Sequence, residues 1–195
     1  MRRLAWAGVC AAMVSMTAWP VLAQDKVYVD IPGIPGESVD AAHVGWIDAY
    51  GVSHDSGLTV TFGGGGGGTN VGPPDLQPVY LLKGTDLSSP LLQQKLDTGM
   101  ALTGSVTIEV CREPDGGAQE CYYTVVLSQV YVVSIRLSGS SCIDPLTSCV
   151  PAQTESVGLD YGEVQYTYRS FSAGKVDQTR CSCWSRVTAS TCSCP

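Results

Sequence analysis

Basic charge is scarce in this chain. Lysine and arginine number 11 against 18 aspartates and glutamates, for a formal net charge of −7 over 195 residues. A nucleic-acid binder needs a basic face, and electrostatic attachment to anionic lipid needs one too, so neither partner class is expected. Histidine is scarcer still, at two. His54-Asp55 reads as a pair in a turn that could in principle orient a nucleophile, but no serine stands in a nucleophile-elbow setting. Carboxylates are scattered, and no spaced pair stands out for acid–base work. The chain therefore reads as a non-enzyme with no cofactor and no metal. Long apolar runs are limited to one, at the start, and convincing helix periodicity to one stretch.

The apolar run belongs to a segment that reads as a secretory signal peptide, residues 1–23. Arg2 and Arg3 form its basic start, Leu4 to Ala18 its apolar centre, and Val21-Leu22-Ala23 its cleavage site, with Gln24 as the new N-terminus. A membrane span is the alternative, but the run is short and no second one follows, so no stable membrane insertion is expected. Loss of Arg2 and Arg3 takes two positive charges from −7 and leaves −9. The mature protein is expected outside the cytoplasm, secreted or periplasmic. Its body is assigned to residues 24–170 and a Cys-rich tail to residues 171–195.

Cysteine is plentiful where it matters. Eight remain after Cys10 is removed with the signal: Cys111, Cys121, Cys142, Cys149, Cys181, Cys183, Cys192 and Cys194. An even number in an exported chain reads as disulfides. Cys111 and Cys121 flank the turn Pro114-Asp115-Gly116-Gly117 and are expected to pair. Cys142 and Cys149 close the waist of a loop and are expected to pair as well. The tail carries two Cys-x-Cys pairs. Four thiolates could hold zinc, but structural zinc favours Cys-x-x-Cys, and an oxidising compartment favours bridges between the two clusters.

Most of the chain alternates with the period of a strand. Lys26 to Ile31, Trp46 to Tyr50, Leu58 to Phe62, Leu76 to Leu82, Ser105 to Val110 and a long Tyr122 to Leu137 all read so, with Ser53 to Gly57 linking the second to the third. Val157, Leu159 and Tyr161 share a face, as do Val164, Tyr166 and Tyr168, and the parity change at Gly162-Glu163 reads as a β-bulge at a corner. From Ser170 the pattern fades. The run Gly63 to Gly68 lacks the following helix and the Lys-Ser or Lys-Thr pair of a phosphate loop, so it reads as a flexible loop. The one helix starts near Ser89 and Pro90, read as its cap and first residue. Leu91, Leu92 and Leu96 form its apolar face, and Gly99 is its left-handed stop. About seven strands and one helix predict a mainly β fold: an antiparallel β-barrel, closed or nearly closed, with one flanking α-helix.

The stretch from Val27 to Arg169 resembles Hcp, the tube protein of the bacterial type VI secretion system. The likeness lies in VYVDIPGIPGES, in HVGWIDAYGVSHDSG and in the glycine run. It continues in the order Asp75-Leu76, Lys83, Asp86, Ser89-Pro90-Leu91-Leu92 and in YGEVQYTYR. The resemblance implies hexameric rings of a barrel subunit, stacked into a tube, with small cargo or effector proteins in the lumen. It also implies that the segment like Trp46 to Gly68 reaches neighbouring subunits, which makes Trp46, Tyr50, His54, Phe62, Gly63 and Gly68 contact candidates. The signal segment and the Cys-rich tail are departures from the family pattern. The rival reading is a secreted, disulfide-stabilised monomeric β-barrel that acts as a binding module.

Overall fold

The computed structural model describes residues 25–63, 68–114, 118–139 and 153–194. The expected signal peptide, the new terminus at Gln24, the centre of the glycine run and the Cys142–Cys149 pair lie outside the described residues. Within them the chain forms ten strands and one helix. The strands are β1 (Lys26–Asp30), β2 (Ile47–Phe62), β3 (Thr69–Gly84), β4 (Val106–Arg112), β5 (Glu120–Ser128), β6 (Tyr131–Gly139), β7 (Gln153–Asp160), β8 (Glu163–Ser172), β9 (Lys175–Ser185) and β10 (Ser190–Thr191). The helix α1 (Ser88–Thr98) falls between β3 and β4.

All neighbouring strands run antiparallel in one ten-stranded sheet, in the order β10-β9-β8-β5-β4-β1-β2-β3-β7-β6. The sheet folds back on itself. His54 of β2 and Tyr166 of β8 are four strand steps apart, about 19 Å across a flat sheet, yet Tyr166 Oη lies 2.8 Å from His54 Nδ1. Val29, Ile47, Leu81, Ile108, Leu127, Val157 and Leu159, from six different strands, are fully buried in one cluster. Expectation and structure differ on closure: the end strands β6 and β10 are not paired to each other, so the barrel is open along that seam. A core packed from both halves keeps the two layers together without the last ladder.

Two corners make the fold. The apolar run Tyr122 to Leu137 is two strands, not one, broken at Gln129-Val130, where Gln129 adopts φ 55°. The second corner replaces the expected bulge: β7 stops at Asp160, Tyr161-Gly162 turns, and β8 begins on the far side of the sheet. The parity change marked a change of layer. The Gly162 amide donates to Ser128 O at 3.0 Å and so ties one corner to the other.

Helix α1 packs on β6 with Leu92 fully buried, and Leu91 and Leu96 lie partly buried against the core. Gly99 takes φ 62° at its C-terminus, where a left-handed residue is cheap only for glycine. The N-terminus differs from expectation. Leu87 precedes the first helical residue, and Pro90 is the third; Ser89 does not cap. Asp86 Oδ1 instead accepts from Ser88 N at 2.8 Å, and Ser89 Oγ turns back to accept from Asp86 N at 3.0 Å. The last segment is ordered as well. Residues read as a fading tail complete β8 and form β9 and β10, so the polar cysteine-rich sequence extends the sheet.

Candidate functional site

Strands β2 and β3 are 16 residues each, far longer than the rest. The sequence predicts two short strands with a link in place of β2; the link at Ser53 to Gly57 is itself strand. β1 pairs with β2 only as far as Ala49, and β7 pairs with β3 only from Val79 onward. Past His54 opposite Val79, among the described residues, the two strands pair with nothing but each other. They form an arm of about eight residue steps, roughly 26 Å at strand spacing. Leu58, Val60 and Phe62 alternate onto one face, with Val71 opposite Val60 on the partner strand. Phe62 is 78% exposed and Leu58 52%. Pro73, Pro74 and Pro78 lie along β3. Proline has no N–H to offer an incoming strand, so this edge resists indiscriminate pairing while the apolar face stays available.

Two side-chain clusters hold the root of the arm. In the first, Lys83 is 0% exposed although charged. Its Nζ lies 2.5 Å from Glu155 Oε1, 2.8 Å from Asp86 Oδ1, 2.8 Å from Gly84 O and 3.1 Å from Ser89 Oγ, four acceptors sharing three N–H groups. Ser89 Oγ donates to Glu155 Oε1 at 2.6 Å. Lys83 and Glu155 face each other across the β3–β7 ladder, so one buried network joins the arm, its neighbouring strand and the helix start. In the second, His54 is in a strand and not in a turn. Its Nε2 lies 2.7 Å from Tyr161 Oη and its Nδ1 2.8 Å from Tyr166 Oη. A neutral imidazole has one donor and one acceptor nitrogen, so one tyrosine accepts and the other donates. Burial holds His54 below its ordinary value and raises Tyr161 to about 12 and Tyr166 further. Val52, Leu76, Tyr123, Val164 and Trp184 complete the wall of a cavity of about 470 Å3 beside these rings. The arrangement suits a structural clamp: both ring nitrogens are taken by tyrosines, and Ser56 lines the same cavity.

The contact candidates separate in space. Phe62, Gly63 and Gly68 are exposed at the outer end of the arm, and Tyr50 is exposed near its root. His54 is turned inward on its tyrosines. Trp46 precedes β2, is half-buried, and meets the His43 ring edge-on at 4.9 Å.

Three disulfides are present among the described residues. Cys111 is bridged to Cys121, directly opposite it across the β4–β5 hairpin. Cys181 is bridged to Cys194 and Cys183 to Cys192, so the two tail clusters pair with each other. Sequence reasoning missed His43. The loop between β1 and β2 carries it, and Gly36 lets that loop press on the Trp46–Ile47 backbone, where a Cβ would collide. His43 stacks on Tyr28 with ring centroids 4.0 Å apart; Nδ1 is 2.8 Å from Asp40 Oδ1 and Nε2 is 3.0 Å from Glu109 Oε2. The hydrogen bond from His43 holds Asp40 below the usual carboxylate range. The spacing of Asp40 and His43 was a legible signal, but nothing in the sequence links them to Glu109.

Residues 28–168 match the family model described as type VI secretion system effector, Hcp. The chain belongs to the Hcp family. The Major exported protein of Pseudomonas aeruginosa PAO1 is 33% identical over 104 residues, 53% of this chain and 59% of that protein. The match thus spans under two thirds of the relative's length. A solved type six secretion system protein superposes with a TM-score of 0.75 at 23% identity, covering 85% of this chain and 98% of that one. Hcp1 from Salmonella typhimurium superposes with a TM-score of 0.66 at 18% identity, covering 87% and 99%. At these identities the Hcp structures establish the fold: antiparallel β with one helix. Among the described residues, no helix is long and apolar enough to cross a membrane.

Proposed function

We propose that this chain is an exported structural subunit that assembles with copies of itself into rings, hexameric as the family resemblance implies, which stack into a tube able to hold small proteins in its lumen. The observation that carries this reading is the β2–β3 arm, which projects an exposed apolar face that no other described part of the chain covers. A two-stranded ribbon alone is marginal in water, and a neighbouring subunit gives it a surface to order on. Head-to-tail contacts of one arm on the next subunit close into a ring. Export rests on the leader read at residues 1–23, with the mature chain beginning at Gln24 and working in the periplasm or beyond. Membership of a structural family and the absence of a catalytic constellation in the sequence support a non-enzymatic role.

Light scattering and electron microscopy of the oxidised protein test the reading. Ring-sized particles are expected, and tubes should lengthen with salt because screening weakens repulsion between subunits of net charge −7 or below. Phe62→Asp should abolish assembly without lowering the melting temperature. Phe62→Ala should weaken each contact by about 1.5–3 kcal/mol, tenfold or more in affinity. A strict monomer at high concentration and moderate salt would overturn the ring and leave the exported monomeric binding module. N-terminal sequencing of exported material that found Met1 retained would overturn the leader.

A further inference from the structure

His43, Glu109, Cys111 and Cys121 come from the β1–β2 loop and the β4–β5 hairpin, and their ligand atoms lie within 4.8 Å of one another. We propose that this cluster is a redox-gated metal site: with Cys111 and Cys121 reduced, the two thiolates, His43 Nε2 and Glu109 hold one zinc-class divalent cation, and formation of the disulfide expels it.

The donor set is two sulfurs, one imidazole and one carboxylate, the mixture that zinc takes in tetrahedral sites. The spacing is close to what the ion needs. Bonds of about 2.3 Å to sulfur and about 2.0 Å to nitrogen or oxygen set sulfur–nitrogen edges near 3.5 Å and nitrogen–oxygen edges near 3.3 Å. Cys121 Sγ lies 3.8 Å from His43 Nε2, and Nε2 lies 3.0 Å from Glu109 Oε2. The largest change is between the two sulfurs, from bonding distance to about 3.7 Å, since every other pair of ligand atoms already lies within 4.8 Å. The surroundings orient the ligands already. Asp40 Oδ1 accepts from His43 Nδ1 at 2.8 Å, the carboxylate–histidine arrangement that aims the other ring nitrogen at a metal. Thr124 Oγ1 reaches Glu109 Oε1 at 3.4 Å and leaves Oε2 on the cluster side. The His43 side chain is 3% exposed and Cys111 is fully buried, while Glu109 and Cys121 are partly buried, so the site is shielded from water on its His43 and Cys111 side.

The two states interconvert with balanced chemistry. A phosphine or thiol reductant supplies two electrons, the Sγ–Sγ bond breaks, and two protons complete two thiols. Binding the cation displaces those two protons to solvent. In the reverse direction the two thiolates give two electrons to a disulfide oxidant, which takes up two protons as it becomes a dithiol. The Sγ–Sγ bond re-forms, and the cation leaves with two of its ligands gone. A chain waiting in a reducing compartment would hold the cation, and arrival in an oxidising one would exchange it for the covalent bridge.

The probe is Co2+, confirmed by Zn2+ competition, in a chain whose other mature cysteines, Cys142, Cys149, Cys181, Cys183, Cys192 and Cys194, are replaced by serine. Reduced anaerobically with a phosphine, it should bind one ion per chain, with thiolate-to-cobalt absorption and tetrahedral visible bands. The oxidised form should bind none. Asp40→Asn should weaken binding about 10–100-fold, and Glu109→Gln and His43→Gln should alter the visible bands. If the serine variant does not fold, fully reduced wild type and Cys111→Ser/Cys121→Ser serve, and they should differ by one ion per chain. If reduction unfolds the chain by circular dichroism, the cation should restore the fold. No uptake, equal uptake in both redox states, bands indifferent to His43 and Glu109, or failure of the cation to refold a reduced chain would each overturn the proposal.

Discussion

Replacing Lys83 by methionine tests how the root of the arm is held. The lysine is 0% exposed and its partner Glu155 4% exposed, so removing the ammonium strands a carboxylate where water cannot reach it. Breaking a buried pair from one side costs about 3–5 kcal/mol. For a body of this size each kcal/mol moves the melting temperature by about 2–4 °C, so a fall of roughly 6–20 °C is expected. The double variant Lys83→Met/Glu155→Leu removes both charges and should recover at least half of the loss, because an apolar pair of similar volume carries no desolvation cost. Urea and thermal unfolding of the oxidised protein, followed by two probes, give the four corners of the cycle. A loss under about 1 kcal/mol for the single variant, the range of exposed ion pairs, would mean that water enters the network. A double variant whose loss equals the sum of the singles would show that Lys83 and Glu155 are not coupled. Either result would refute the reasoning.

Leu92→Ala should leave a cavity between α1 and the sheet and cost about 2–5 kcal/mol in denaturant unfolding; a change under about half a kcal/mol would place the leucine in solvent. Cys111→Ala/Cys121→Ala should cost about 2–3 kcal/mol, since the bridge closes a short loop, and peptide mapping without reductant should return Cys111–Cys121, Cys181–Cys194 and Cys183–Cys192 as separate pairs. His54 is held below its ordinary value by burial, so the unfolded chain takes up a proton that the folded chain refuses. Its contribution is therefore full above about pH 6.5 and is lost as pH falls below that value, and His54→Gln should flatten this part of the stability–pH curve. Stability that rises on acidification through the same range would contradict that sign.

The alternation of apolar residues made most strands and the single helix legible, and the resemblance carried the family. What escaped did so for physical reasons. Gly57, Gly72, Pro73 and Pro74 read as strand breakers, yet in a free ribbon the outer edge needs no N–H, so β2 and β3 run through them. Gln129 carries no turn signal, and a non-glycine residue at φ 55° is a choice made by the corner it occupies. Ser89 reads as a cap because its hydroxyl stands just before Pro90, but Glu155, distant in sequence, claims that hydroxyl. Lys83 could have been found, since it shares strand parity with Val79 and Leu81, both buried. A lysine on the core face needs a buried acid. Glu109 beside His43 could not have been found, because the contact exists only once β1 pairs with β4.

The clamps and the bridges divide the molecule's labour. Lys83 with Glu155 and His54 with Tyr161 and Tyr166 both act where β2 and β3 leave the sheet, the last rungs held by other strands. Beyond them the arm has only its own ladder. A flexible root would make every contact at the tip pay the entropy of fixing the whole arm, so two buried clusters there set its direction before any partner arrives. The disulfides fall elsewhere, on the β4–β5 hairpin and on β9 with the terminal segment. Redox change therefore acts outside the arm itself but reaches its root: Trp184, next to Cys183, lines the His54 cavity, and Trp46 packs on His43 of the proposed cation site.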